Sequence, residues 1–543
     1  MVFNDYSYID TDRNNISRVL DSILNKDLSI WDSHPGSYEG VMGWVDVIGF
    51  QTINTLQDEW DSLFSFPFEC TDVVLIGFGG SILGGQVLIH SLSALSNIKI
   101  WYMDRVHPKE IEEVQNLINL PTTIFIVASK SGTTLETRCL ERFFFELRNS
   151  KFPHLDKGRC FFAITDPYSE LDHLAVNSNY KKVIYSDPSV GGRFSALTEF
   201  GLFPAYLMGG KIDSFVLNTH KRIGNVDPSF DFFSEVTKLV YFIANSLKIG
   251  RDKLTIKASP TLNHMLAWIE QLISESLGKD GKGVILIIRE PDMDLSAYGP
   301  DRAFLFIEDE KNQDPETPGR ISDLTSANFP TLHIKIEEIE NNIGSEIYKW
   351  ELAVATLGNL LGINPFDQPE VEGSKILATN LLDVETEGKN ISRKSALSIS
   401  ELLERCRPGY YIGILAYLPR KSEVEVLLSD IRRELTRITS VPTTLGYGPS
   451  YLHSTGQCHK GGPKNGLFIQ ITYDVHCDIS VPDVPFSFGD ISIAQSEGDL
   501  RAMLVKNIPI TRYHLGKDKI KGLKVLLNSL SNRDCHISPP PSS

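Results

Sequence analysis

The chain has 543 residues, 41% of them hydrophobic and 22% charged, with a formal net charge of −16. That length leaves room for roughly three or four domains, and the composition is ordinary for globular protein. The acidic balance argues against wholesale nucleic-acid binding, which needs a basic face, but a local positive pocket for a phosphorylated substrate remains compatible with it.

The opening MVFNDYSYIDTD is acidic and polar, so no signal peptide is expected. No apolar run is long enough for a transmembrane helix. The cysteines (70, 139, 160, 406, 458, 477 and 535) are scattered, odd in number and without a C-x-x-C pair. Reduced thiols in a cytoplasm fit better than disulfides or a zinc site.

Residues 1–65 read as helical and are expected to cap a first domain, 66–225. That domain shows buried-strand runs at Val73–Ile76, Ile98–Met103, Thr123–Ala128, Cys160–Thr165 and Lys182–Tyr185, separated by helical patterns. Such alternation predicts a parallel sheet covered on both faces. A second α/β domain, 226–375, opens with a helix near Phe230–Asn245. It continues with strands at Lys253–Ala258, Val284–Ile288, Ala303–Ile307 and Thr331–Ile334, and then the helix Gly344–Leu361. A C-terminal α/β unit, 376–543, follows a polar stretch. It carries a strand at Tyr410–Leu418, a helix at Glu423–Thr439, a strand at Leu467–Tyr473 and a strand running into a helix over Ile491–Leu504. The proline-rich tail is expected to be disordered.

Six segments carry chemistry. Gly77-Phe78-Gly79-Gly80-Ser81 follows a strand; its glycines would let backbone approach a ligand, or simply make a tight turn. It lacks the dinucleotide fingerprint, because Ile82 stands where a glycine is needed. Ser129-Lys130-Ser131-Gly132-Thr133-Thr134 crowds four hydroxyls and a lysine at a strand–helix junction, where unpaired N–H groups and the helix dipole favour a phosphate. An N-cap alone would explain one hydroxyl. In Val190-Gly191-Gly192-Arg193-Phe194-Ser195, exposed backbone donors beside a fixed cation suit a developing anion; the plainer reading is an ion-paired arginine. Glu275, in Glu275-Ser276-Leu277-Gly278-Lys279, closes an apolar helix. There its pKa could rise as a general base requires, or it could be a solvated surface glutamate. Asn364-Pro365-Phe366-Asp367-Gln368-Pro369 leads to Lys375, which could bind a sugar phosphate or be solvated. Finally, Gly446–Pro463 packs His453, His459, hydroxyls and Lys460 into one loop whose spacing does not suit zinc.

The order of G-x-G-G-S, A-S-K-S-G-T-T-x-E-T, V-G-G-R-F-S, E-S-x-G-K and N-P-F-D-Q-P-x-V-E-x-x-K resembles the glucose-6-phosphate isomerase family. The resemblance implies two doubly wound sugar-isomerase (SIS-type) domains with parallel sheets, an aldose–ketose isomerisation through an enediolate, no cofactor and a homodimer. Carried over by motif, the phosphate loop falls on Ser129, Lys130, Ser131 and Thr134, with Ser81 and Gly80 nearby. The base falls on Glu275, the enediolate-stabilising arginine on Arg193, and the ring-opening lysine on Lys375. Gly192 and Gln368 lie near the substrate.

One family feature is missing: no histidine occurs from Ser276 to Pro330, and the corresponding stretch reads Tyr298-Gly299-Pro300-Asp301-Arg302. The C-terminal loop is similar to the isomerase half of fused transaldolase–phosphoglucose isomerases, and no transaldolase barrel fits before residue 77. The expectation is that His453 or His459 supplies the missing histidine. A non-catalytic phosphosugar-binding regulator, or an isomerase of another phosphosugar such as mannose 6-phosphate, are the alternatives.

Overall fold

The structure is a computed structural model that describes residues 5–31, 41–46, 60, 69–92, 97–155, 157–224, 230–370 and 397–531. Three parallel sheets organise it. The first contains β1 (Asp72–Ile76), β2 (Lys99–Met103), β3 (Thr123–Ala128), β4 (Phe161–Thr165) and β5 (Lys182–Tyr185), in the order β2-β1-β3-β4-β5. The second contains β6 (Lys253–Ala258), β7 (Ile285–Ile288), β8 (Arg302–Asp309) and β9 (Thr331–Ile336), in the order β7-β6-β8-β9. The third contains β10 (Tyr411–Ala416), β11 (Thr443–Tyr447), β12 (Gly466–Thr472) and β13 (Ile510–His514), in the order β11-β10-β12-β13. Each sheet places its second strand outside its first and its third strand on the other side. That reversal opens a crevice beyond the carboxyl ends of the strands. In the first sheet the glycine loop follows β1 and the hydroxyl loop follows β3, so the sequence puts both at the switch point.

Strands β1, β3 and β4 are buried along their whole length, which is why they read as continuous apolar runs. Alternate side chains serve different cores. Val73, Leu75, Ile124 and Ile126 join one core with Leu254, Trp268 and Trp350 of the second unit. Val74, Ile76, Phe125 and Val127 face the opposite way and are covered in part by Val481, Phe488 and Ile491 from the third. Tyr411, Leu415 and Phe468 of the third sheet pack on Ile285 and Ile287 of β7. The three units therefore share cores.

Several expectations need correction. Among the described residues of the N-terminal segment, the helix Arg13–Leu24 is accompanied by short 3-10 turns, and Trp60 is helical as well. Met42, Trp44 and Trp60 meet Val190, Phe194 and Phe203 of the first unit, while helix Arg13–Leu24 packs on helices Phe232–Lys248 and Ile339–Leu361 of the second. Tyr6 donates its hydroxyl to the Gly283 carbonyl (3.0 Å), which pins the same segment there. The strand expected at the start of 491–504 is absent: Phe488–Val505 is one helix. A capping box between Ser487 and Asp490 sets its start. Helix Ile339–Leu361 begins five residues before its expected start at Gly344. Strands β11 and β13 carry too many polar residues to stand out in sequence. No described helix is long and apolar enough to cross a membrane. Residues 371–396 and the proline-rich tail lie outside the described residues.

Candidate active site

Helix Asn263–Leu277 carries the proposed base. Its face is apolar through Met265, Ile269 and Leu272, which buries it among the units, and Glu275 comes in its last turn. Glu275 is only 5% exposed, which removes the surface-glutamate reading. Its Oε1 lies 3.3 Å from Arg193 Nη1, and its Oε2 accepts from Gln271 Nε2 at 3.0 Å. Gln271 sits four residues earlier, one turn along the same face.

Arg193 is 6% exposed and fully engaged. Nε donates to Ser276 Oγ (3.1 Å), Nη2 to the carbonyls of Pro365 (2.9 Å) and Asp367 (3.1 Å), and Nη1 to Gln368 Oε1. Here the ion-pair reading and the functional one coincide: the arginine is paired, and its partner is the carboxylate singled out as the base. Lys279 anchors the same loop, donating to the Asp367 carbonyl and Oδ1 (both 2.6 Å) and to the Asn364 carbonyl. Burial, with Arg193 nearby, pulls its pKa down to about 8, against the raising effect of Asp367.

The glycine loops fit together by close approach. A Cβ on Gly80 would sit 2.0 Å from the Gly192 carbonyl oxygen, so neither loop could close on the other with a larger residue there. Gly79 takes φ +54°, and a Cβ on it would meet both Gln271 Nε2 and the His453 carbonyl at 2.8 Å. Ser81 lies in the first turn of helix Gly80–Leu92.

At the hydroxyl loop, Thr134 is the N-cap of helix Leu135–Lys151, yet its side chain makes no cap bond. Its hydroxyl lies 3.3 Å from Ser129 Oγ, and Ser131 Oγ lies 2.7 Å from Thr133 Oγ1. The cluster therefore exceeds what capping needs. Lys130 gives its ammonium to Asp166 Oδ1 (2.7 Å) and the Asp187 carbonyl (3.0 Å).

The two candidate histidines separate. His453 comes to the site: its carbonyl accepts from Gln271 Nε2 (3.0 Å), and its Nε2 meets Glu136 Oε1 at 3.0 Å. Glu136 also accepts from Gln495. Burial works to raise this carboxyl, but the His453 charge and the hydrogen bonds from His453 and Gln495 hold its pKa down to about 2. His459 instead lies in the core of the third unit, with Nδ1 3.0 Å from Tyr411 Oη and its ring against Phe468. Arg302, where the family histidine was sought, begins β8 and is buried against Thr255 and Glu290. Lys375 lies outside the described residues.

Sequence reasoning passed over Glu136, Gln271 and Lys279. Glu136 and Lys279 stand inside quoted motifs, and the i, i+4 spacing to Glu275 was the available signal for Gln271. With them, a set of contacts runs from Glu136, two residues past the hydroxyl loop, through His453, Gln271 and Glu275 to Arg193 and Gln368.

Parallel doubly wound sheets with a hydroxyl-lined helix N-terminus define a sugar-isomerase (SIS-type) α/β protein. A solved glucose-6-phosphate isomerase from Chlamydia trachomatis D/UW-3/Cx has the same fold, with a TM-score of 0.51 at 18% identity, covering 69% of this chain and 84% of that one. The phosphoglucose isomerase family profile matches residues 58–280. The glucose-6-phosphate isomerase of Methanocaldococcus jannaschii is 30% identical over 379 residues, 63% of this chain and 90% of that protein. That of Prochlorococcus marinus (strain SARG) is 28% identical over 434 residues, 70% of this chain and 78% of its own. The chain belongs to the glucose-6-phosphate isomerase family.

Proposed function

We propose that this protein interconverts glucose 6-phosphate and fructose 6-phosphate as an aldose–ketose isomerase, with Glu275 as the base. The observation that carries the reading is the buried Glu275–Arg193 pair, linked by hydrogen bonds through Gln271 and His453 to Glu136 in the first turn of the helix that follows the hydroxyl loop. Ser129, Ser131 and Thr134, with Ser81 and the Gly80 backbone, hold the substrate phosphate at the open helix end and position the sugar. Lys130 joins them by exchanging its contact with Asp166 for the phosphate.

His453, oriented by Glu136, and Lys375 assist ring opening. Glu275 then removes the C2 proton, Arg193 stabilises the enediolate oxygen, and Glu275 returns the proton to C1. A single carboxylate reaches both carbons because they are bonded to each other. Gly192 and Gln368 line the sugar, and Gln368 holds Arg193 in place. The reading takes the protein as cytoplasmic and a homodimer, organised as an N-terminal segment, two sugar-isomerase domains and a C-terminal unit.

Turnover of fructose 6-phosphate, coupled to glucose-6-phosphate dehydrogenase, tests the substrate. Mannose 6-phosphate run beside it should turn over more slowly, and the reverse order would reassign the substrate. Ser131→Ala should raise KM by roughly tenfold through loss of a hydrogen bond to a charged group. An unchanged KM would remove the phosphate from that loop.

A further inference from the structure

A cavity of about 540 Å³ lies where the three units meet, beyond the ends of β2, β7 and β11. Small-molecule sites commonly span about 300–1,000 Å³, so the space is sufficient for one ligand. Gly79 and the loop at Ser454 separate it from Glu275: Gly79 lines the cavity while its other contacts are Gln271 and His453. None of Glu275, Arg193 or the hydroxyl-loop residues lines it.

Its walls carry charges in an unusual state. Arg289 directly follows β7 at φ +48° and donates to the Asn263 carbonyl (2.9 Å); among the described residues no carboxylate lies within ion-pair distance of it. Burial and the neighbouring Arg420 lower its pKa, so two guanidinium groups face the same space. Among the described residues, the Arg420 guanidinium is paired at Nε, with Glu425 (2.6 Å), and lies over the Tyr447 ring, which leaves its terminal nitrogens for a guest. Glu270, in the same wall lining, makes no hydrogen bond to a described residue. Burial raises its carboxyl to about 7, with Arg289 and Arg432 pulling the other way. Glu270 is half-buried, and a carboxyl without such a hydrogen bond, in the wall of a cavity that Arg289 and Arg420 also line, gives that cavity the makings of a ligand site. Tyr447 adds an aromatic wall.

We infer that this cavity is a second small-molecule site that takes a phosphorylated polyol, with its phosphate between Arg289 and Arg420 and its hydroxyl groups on Glu270. Arginine pairs suit phosphate because their donors match its oxygens, and a carboxyl beside them accepts from or donates to hydroxyls. The site stands apart from the reacting residues, so its binding can be read without turnover.

The test is calorimetric titration of the full-length protein with glucose 1-phosphate, whose blocked C1 prevents ring opening, beside glycerol 3-phosphate and inorganic phosphate. Glucose 1-phosphate should bind saturably and remain bound in the presence of excess fructose 6-phosphate. Arg289→Gln and Arg420→Gln should each weaken it about tenfold or more, while KM for fructose 6-phosphate stays within about twofold of the parent. Unchanged binding in both variants, full displacement by fructose 6-phosphate, or no saturation by any of the three probes overturns the inference.

Discussion

Glu275, the proposed base, is held still by its surroundings. Arg193 and Gln271 fix both carboxylate oxygens, and the side chain has almost no solvent to reorganise. His453 shows how far sequence alone reaches. The loop's density of polar groups flagged two histidines, but only packing separates them: one meets Glu136, while the other is enclosed by Tyr411 and Phe468. If His453 opens the ring, His453→Ala should slow turnover of ring-closed sugar by about a hundredfold, as loss of a general acid–base group typically does. Open-chain analogues should be nearly unaffected. Equal losses on both substrates would exclude the ring-opening role.

The loop Asn364–Gln368 and helix Asn263–Leu277 form the next level of the site. Lys279, one residue past the helix's C-cap glycine, holds the loop whose carbonyls hold Arg193. Lys279→Met keeps the bulk but removes the donors. It should lower kcat at least about tenfold with a smaller change in KM, since positioning of the enediolate partner is lost. A rise in KM alone would place Lys279 at ground-state binding instead. Most strands here were legible because buried parallel strands are apolar along their whole length. The misread Phe488–Val505 helix was not, because its buried face includes Gln495, Ser496 and Asp499, and its signal lies in the Ser487–Asp490 cap. Strands β11 and β13 escaped for a related reason: buried Thr443, Thr444, Arg512 and His514 make their faces read as polar.

The shared cores couple the units' stability to pH. Burial, with the Lys460 charge, lowers the His459 imidazole to about 3; burial, with Lys519 and Arg105, does the same to His107. Their ordinary value is 6.5, so the unfolded chain binds more protons between pH 6.5 and 3. Stability is present above 6.5 and is lost as pH falls through that window. Glu270, raised to about 7, works in the opposite direction between its ordinary 4.5 and that value, as do the raised carboxyls of Glu351 and Asp252, while His264, lowered to about 4, adds to the histidines' side. Urea unfolding at pH 4.5 and pH 7 gives the net gap, to which the histidines contribute a loss at the lower pH. His459→Gln should remove on the order of 2 kcal/mol of that loss. A gap unchanged in that variant would mean His459 is already charged in the folded protein. The sequence also concealed the repeated strand order: it is topological, and the three sheets share it without sharing a visible sequence period.

The most direct test of Glu275 as the proton-transferring base is fructose 6-phosphate turnover by the parent protein and by Glu275→Gln, with thermal unfolding of both as a control. The expected result is turnover in the parent and a loss of at least about a hundredfold in the variant, at similar thermal stability. A folded Glu275→Gln variant that retains most of the parent's activity would contradict the assignment.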